Sequence, residues 1–232
     1  MKQVTIKGRK PISFLTAPIT YTFTSATRAD TYDVDEYPQL RLHVQYALNF
    51  GATPAELREV VYLTLVTAGV PKALNVAPEV RAVVGDLPRD QEAAAAEPAG
   101  SRRARGEMTL SSLNDDGATD LSADAILGPL AADFPLLVDA ALTFALGDVW
   151  SRDILDPVDR QLAAVAAFAA IGADAWPQMR RHASYALALG ASVEAIKEIL
   201  AITIVSAGLP KALNAAVELR SILASQHGDY DA

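Results

Sequence analysis

Pro38–Val83 reads PQLRLHVQYALNFGATPAELREVVYLTLVTAGVPKALNVAPEVRAV, and Pro177–Ile222 reads PQMRRHASYALALGASVEAIKEILAITIVSAGLPKALNAAVELRSI. Shifted by 139 residues the two agree at about 22 of 46 positions, far above chance for segments of similar composition, so they read as a tandem repeat. Each copy reads as three helices. Pro38 and Pro177 stand where a first turn tolerates a missing N–H, and Gly51 and Gly190 stand where a left-handed C-cap is wanted. Thr53-Pro54-Ala55-Glu56 has the form of a capping box with proline at the first helical position. Its counterpart Ser192 keeps the cap residue but has Ala195 in place of the acid. A third helix follows Ala-Gly-Val-Pro or Ala-Gly-Leu-Pro, at Lys72 and Lys211. Ile196, Ile199, Leu200, Thr203 and Ile204 recur at helical spacing.

Outside the repeat the pattern remains helical on the second side only. Asp156-Pro157 supplies a cap and first turn for an alanine-rich helix running to Ile171, and an amphipathic segment spans about Phe134–Leu146. The matching region before the first copy, Thr16–Tyr37, reads as strand or loop, so that copy lacks a leading helix. The expected organisation is an irregular arm at 1–37, a partial first repeat at 38–85, a charged linker at 86–105, a complete second repeat at 106–226, and a tail at 227–232.

Composition supports an all-α fold. Half the 232 residues are hydrophobic (51%), with alanine and leucine prominent. A net charge of −8 argues against a nucleic-acid partner, although a pocket's local charge can still suit a small anion. Cysteine is absent, which excludes disulfides, thiolate nucleophiles and iron–sulfur ligation. His43, His182 and His227 are too scattered for a metal site, so no metal is expected. Lys2, Lys7, Arg9 and Lys10 precede an apolar stretch in the manner of a secretory signal. Pro11–Thr24 contains two prolines and four threonines, a poor hydrophobic region, and no window is long and apolar enough to span a bilayer. A cytoplasmic protein without membrane contact is expected.

Several of these pieces together resemble the carboxymuconolactone decarboxylase family: Arg105-Gly106-Glu107, Phe144-Ala-Leu-Gly-Asp-Val-Trp-Ser-Arg152, Asp159-Arg160-Gln-Leu, Gln178-Met-Arg-Arg-His182, Glu198, and Ala207-Gly208-Leu209-Pro210-Lys-Ala-Leu-Asn214. The resemblance covers 105–224 in full and 38–84 in part. It implies an AhpD-like helical bundle that self-associates, here as a tandem chain with three chains completing a ring of six units. AhpD-like peroxidases of the same superfamily use Cys-x-x-Cys-x-x-x-His. Counted back from His182, those cysteine positions hold Ala175 and Gln178, and from His43 they hold Glu36 and Gln39. Thiol peroxidase chemistry is therefore excluded.

The candidate site follows from residue chemistry and the resemblance together. His182, with its counterpart His43, is a general acid or base by its near-neutral pKa, or else a structural bridge between helices. Glu198 and its counterpart Glu59 fall within apolar helical segments, where a carboxylate needs a partner; either could orient a histidine or form an ion pair. Lys211 and Lys72, in the first turn of a helix whose free N–H groups attract anions, fit a carboxylate corner or a solvated surface. Arg152 and Arg160 suit bidentate carboxylate binding or anchoring to Asp148, Asp156 or Asp159. Trp150 would wall a pocket or fill the core.

The resemblance implies loss of CO₂ from a small anionic lactone such as 4-carboxymuconolactone. The lactone carbonyl can accept the electrons without a cofactor, and the protein binds anions and delivers a proton. His182 is expected to donate it, with Glu198 orienting the ring and Arg152, Arg160 and Lys211 binding the anionic groups. Two other readings stand: a lyase, isomerase or cyclase of secondary metabolism acting on another substrate, and a non-catalytic oligomeric binding module.

Overall fold

The computed structural model describes residues 38–86, 99–113 and 123–225. The expected arm at 1–37, most of the linker, His227 and the tail lie outside the described residues. Among those described, every regular element is helical, so the fold is all-α. In chain order the elements are α1 (Pro38–Asn49), α2 (Pro54–Thr67), α3 (Val70–Val84), α4 (Ala99–Ser112), α5 (Ala123–Ala131), α6 (Pro135–Ala140), a π-helix (Ala141–Trp150), α7 (Pro157–Ile171), a short 3₁₀ turn (Ala173–Ala175), α8 (Trp176–Ala188), α9 (Val193–Ala207) and α10 (Leu209–Ser225).

Local signals place the helix ends. The Thr53 side chain accepts from the Glu56 N–H while Glu56 returns a bond to the Thr53 N–H, completing the capping box of α2. Ser192 accepts from the Ala195 N–H at 3.1 Å to cap α9, and Asp156 accepts from the Val158 N–H at 2.9 Å to cap α7. Gly51 (φ 96°) and Gly190 (φ 94°) adopt the left-handed backbone that ends α1 and α8.

The described chain divides into two compact units. The first joins α1–α3 with α7–α10; the second contains α4, α5, α6 and the π-helix. This division differs from the one drawn along the sequence, because α2 packs on α7 and so ties the two triplets into one unit. Within it, α1–α3 and α8–α10 bury matching residues at the 139-residue offset: Leu40 and Met179, Val44 and Ala183, Leu57 and Ile196, Val60 and Ile199, Val80 and Leu219. Matching ion pairs join their outer helices: Arg41 Nε donates to Glu79 across α1 and α3, and Arg180 Nη1 to Glu218 across α8 and α10. α7 packs against α8, α9 and α10, and Arg160 through Ala170 are all buried. A helix buried on every side must be apolar all round and, to let its neighbours approach, narrow; the alanine run supplies both.

The second unit corrects the reading of residues 99–105 as linker, for they open helix α4. Their polar, weakly periodic sequence hides the cause, which is tertiary. Gly106 of α4 and Gly147 of the π-helix bring the two backbones into contact: a Cβ on Gly106 would stand 1.9 Å from the Leu142 carbonyl oxygen, and one on Gly147 would stand 2.3 Å from that of Arg102. Arginines clamp the crossing. Arg102 grips both Asp148 oxygens, and Arg105 donates to Asp148 at 3.2 Å and to the Gly147 carbonyl at 2.5 Å. The Arg-Gly and Gly-Asp pieces of the sequence are thus two halves of one clasp.

Candidate functional site

The first unit gathers its distinctive chemistry around one ring. His182 sits on α8, half-buried, facing α7, where burial leaves few polar groups. Its Nδ1 meets the Gln161 side-chain oxygen at 2.6 Å, and Gln161 is itself buried. With that carboxamide oxygen as acceptor, Nδ1 carries the proton and Nε2 keeps its lone pair. Two aromatic rings flank the imidazole: Phe168 of α7 at 5.3 Å between centroids, tilted 32°, and Tyr185 at 5.6 Å, edge-on at 87°. The spacings are helical: Gln161 and Phe168 lie two turns apart on α7, and His182 and Tyr185 one turn apart on α8. Neither Gln161, Phe168 nor Tyr185 stood out beforehand. The available signal was the repeated His-x-x-Tyr, since His43 and Tyr46 of α1 keep the same edge-on pairing at 5.8 Å and 84°.

Electrostatics set the protonation states. Burial, and secondarily the Arg181 guanidinium, lower the His182 pKa from its ordinary 6.5 to about 3, so the ring is neutral at physiological pH. Burial likewise lowers His43. Burial raises the Tyr185 pKa against a smaller opposing effect of Arg181, so this phenol stays protonated. Burial and then Lys211 lower the Lys72 pKa, an interaction between the first-turn lysines of α3 and α10.

The other candidates fall in different places. Glu198 is exposed on α9, whereas its counterpart Glu59 is only 2% exposed on α2, and the side chain that meets His182 Nδ1 is Gln161. Lys211 donates to the Ala170 carbonyl at 2.5 Å, capping the C-terminus of α7 with a cation where the helix dipole favours one. Arg160 is buried and donates to the Leu155 carbonyl at 3.1 Å, anchoring the turn before α7 to backbone. Arg152 and Trp150 belong to the second unit, and both are buried. Asp148, expected as an anchor for Arg152 or Arg160, is held by Arg102 and Arg105. Among the described residues no cluster of three or more His, Asp or Glu side chains is placed to hold a metal ion, and no helix is long and apolar enough to cross a membrane.

Within the first unit, a neutral imidazole with a fixed tautomer, walled by aromatic rings beside a protonated phenol, can exchange a proton with a bound acid. It favours a ligand that brings its own negative charge, because that charge raises the ring's proton affinity. Residues 135–220 match the carboxymuconolactone decarboxylase family, a span that includes α8, α9 and most of α10 but none of α1–α3. No curated protein matches the chain.

Proposed function

Residues 135–220 form a carboxymuconolactone decarboxylase family region, and from that premise we propose that the protein is a carboxy-lyase acting on a small carboxylated lactone or a related acid. The observation that carries the proposal is the neutral, Gln161-held imidazole of His182 between Phe168 and Tyr185, inside the matched span. An arriving carboxylate raises the proton affinity of His182, so the ring takes up a proton together with the substrate. The C–CO₂ bond then breaks, its electron pair enters the unsaturated lactone as a dienolate, and His182 returns the proton to carbon. The product is the enol-lactone and CO₂, and the electron sink is the substrate's own carbonyl. Arg160 and Lys211 remain proposed substrate-binding residues of the first unit, with Glu198 in addition to His182 as a proposed catalytic residue and His43, Glu59 and Lys72 as the candidates of the first repeat; Arg152 and Trp150 remain candidates within the second unit by itself.

The test is incubation of the protein with 4-carboxymuconolactone and no added cofactor, following CO₂ release. Turnover that falls about 10²-fold in His182→Ala supports the assignment. An absence of turnover at high enzyme concentration removes it, in favour of another lactone or acid substrate, or of the binding-module reading.

Self-association belongs to the same proposal. Leu209, Leu213 and Val217 form an exposed stripe at i, i+4, i+8 on α10, beside exposed Val205 of α9. Exposed apolar side chains gathered at helical spacing on one face are the kind of surface that an interface covers. We assign this face to a second copy of the chain and place the protein in the cytoplasm. Mass determination in solution tests the assembly.

A further inference from the structure

Tyr185 is buried to 3% exposure, and its hydroxyl oxygen has no hydrogen-bond partner among the described residues. A buried hydroxyl left unsatisfied destabilises the fold, and a phenylalanine would fill the same space without that cost. Packing against His182 explains the ring but not the oxygen. The equivalent Tyr46 keeps the same edge-on contact with His43 but is 43% exposed, where water can satisfy its hydroxyl. The second triplet therefore buries a polar atom that the first leaves in solvent, and it does so one helical turn from the neutral histidine.

We propose that the Tyr185 hydroxyl is a ligand-facing donor that hydrogen-bonds the oxygen on which negative charge develops. This rests on the carboxy-lyase reading: as CO₂ leaves, the lactone carbonyl oxygen gains charge and accepts from the Tyr185 O–H. No proton is transferred at this oxygen; the proton on carbon comes from His182. Burial suits the role, since a fixed donor away from water acts strongly on a charge that appears only in the transition state. The ligand class is a small anion with an enolisable or conjugated carbonyl.

Tyr185→Phe tests this because it keeps the ring and removes only the oxygen. The variant is expected to melt at or above the temperature of the unaltered protein; a fall of several degrees would show that the hydroxyl holds the fold and overturn the proposal. With 4-carboxymuconolactone, kcat is expected to fall about 10²-fold with KM nearly unchanged, the signature of an interaction made in the transition state. An unchanged kcat overturns the proposal while the His182→Ala comparison leaves the carboxy-lyase reading standing. If the unaltered protein does not turn over this lactone, the carboxy-lyase reading fails separately, and calorimetric binding of cis,cis-muconate decides Tyr185. Binding tenfold weaker in the variant upholds the donor role; equal binding, or none to either protein, overturns it.

Discussion

Replacing Gly106 with alanine adds one methyl group where no side chain can yield. The new Cβ would lie 1.9 Å from the Leu142 carbonyl oxygen, whereas ordinary contacts begin near 3.4 Å, so the two helices must part by about 1.5 Å. Parting by that amount lengthens the Arg105–Gly147 bond from 2.5 Å beyond hydrogen-bond range and loosens the Arg102 grip on Asp148. Overpacking costs about 1–3 kcal/mol and the lost charge-assisted bonds, which are partly solvated, another 1–2 kcal/mol. Alanine returns about 1 kcal/mol through helix propensity, which leaves a net loss of about 1–4 kcal/mol. At 2–4 °C per kcal/mol for a chain of this size, the midpoint falls by roughly 2–16 °C. Circular dichroism melts of Gly106→Ala beside Met108→Ala, an exposed position two residues along the same helix, measure the effect. The second variant should stay within about 0.5 kcal/mol of the unaltered protein. A Gly106→Ala protein that melts at or above the unaltered one would refute the crossing as described.

The depressed His182 pKa makes stability depend on pH in a defined window. The unfolded ring titrates near 6.5 and the folded one near 3, so between these values the unfolded state binds the extra proton and stability falls as pH falls. Urea melts of His182→Gln should be flatter than those of the unaltered protein across that window, and parallel curves would contradict the burial. Gln161→Leu removes the acceptor that sets the His182 tautomer and should lower kcat on any substrate the protein turns over while His182 stays buried; an unaltered rate would deny Gln161 that role. Lys211→Met removes the cation that caps α7 and should cost about 1 kcal/mol in a chemical melt. Leu213→Glu places a charge in the apolar stripe of α10 and should reduce the assembly measured by light scattering, with unchanged mass counting against that face.

The fold was most legible where its determinants are local. Thr53 with Glu56, Ser192, Gly51 and Gly190 mark helix ends through bonds or backbone torsions within a few residues, and each stands where the sequence indicates. Helix α4 was hidden because its cause lies some 40 residues away, in Gly147 and Asp148, and no periodicity reports such a crossing. The site was partly legible. His182 was visible from its type and repetition, but its protonation state depends on α7 lying against it, and its partner Gln161 carries no distinctive spacing. Glu59 and Glu198 make the limit plain: one sequence context, repeated, gives one buried and one exposed carboxylate.

The alanine run of α7 also sets the direction in which this protein can change. Ala163, Ala164, Ala166, Ala167, Ala169 and Ala170 are all fully enclosed, so nearly every substitution there enlarges a side chain that has no room to grow. The outer helices can exchange leucine, valine and methionine at nearly constant volume, as Leu40 and Met179 do at matching positions. Variation in side-chain size is therefore channelled into α8 and the other helices packed around α7. The spindle itself stays fixed: a shape that different pockets can inherit without first having to reinvent it.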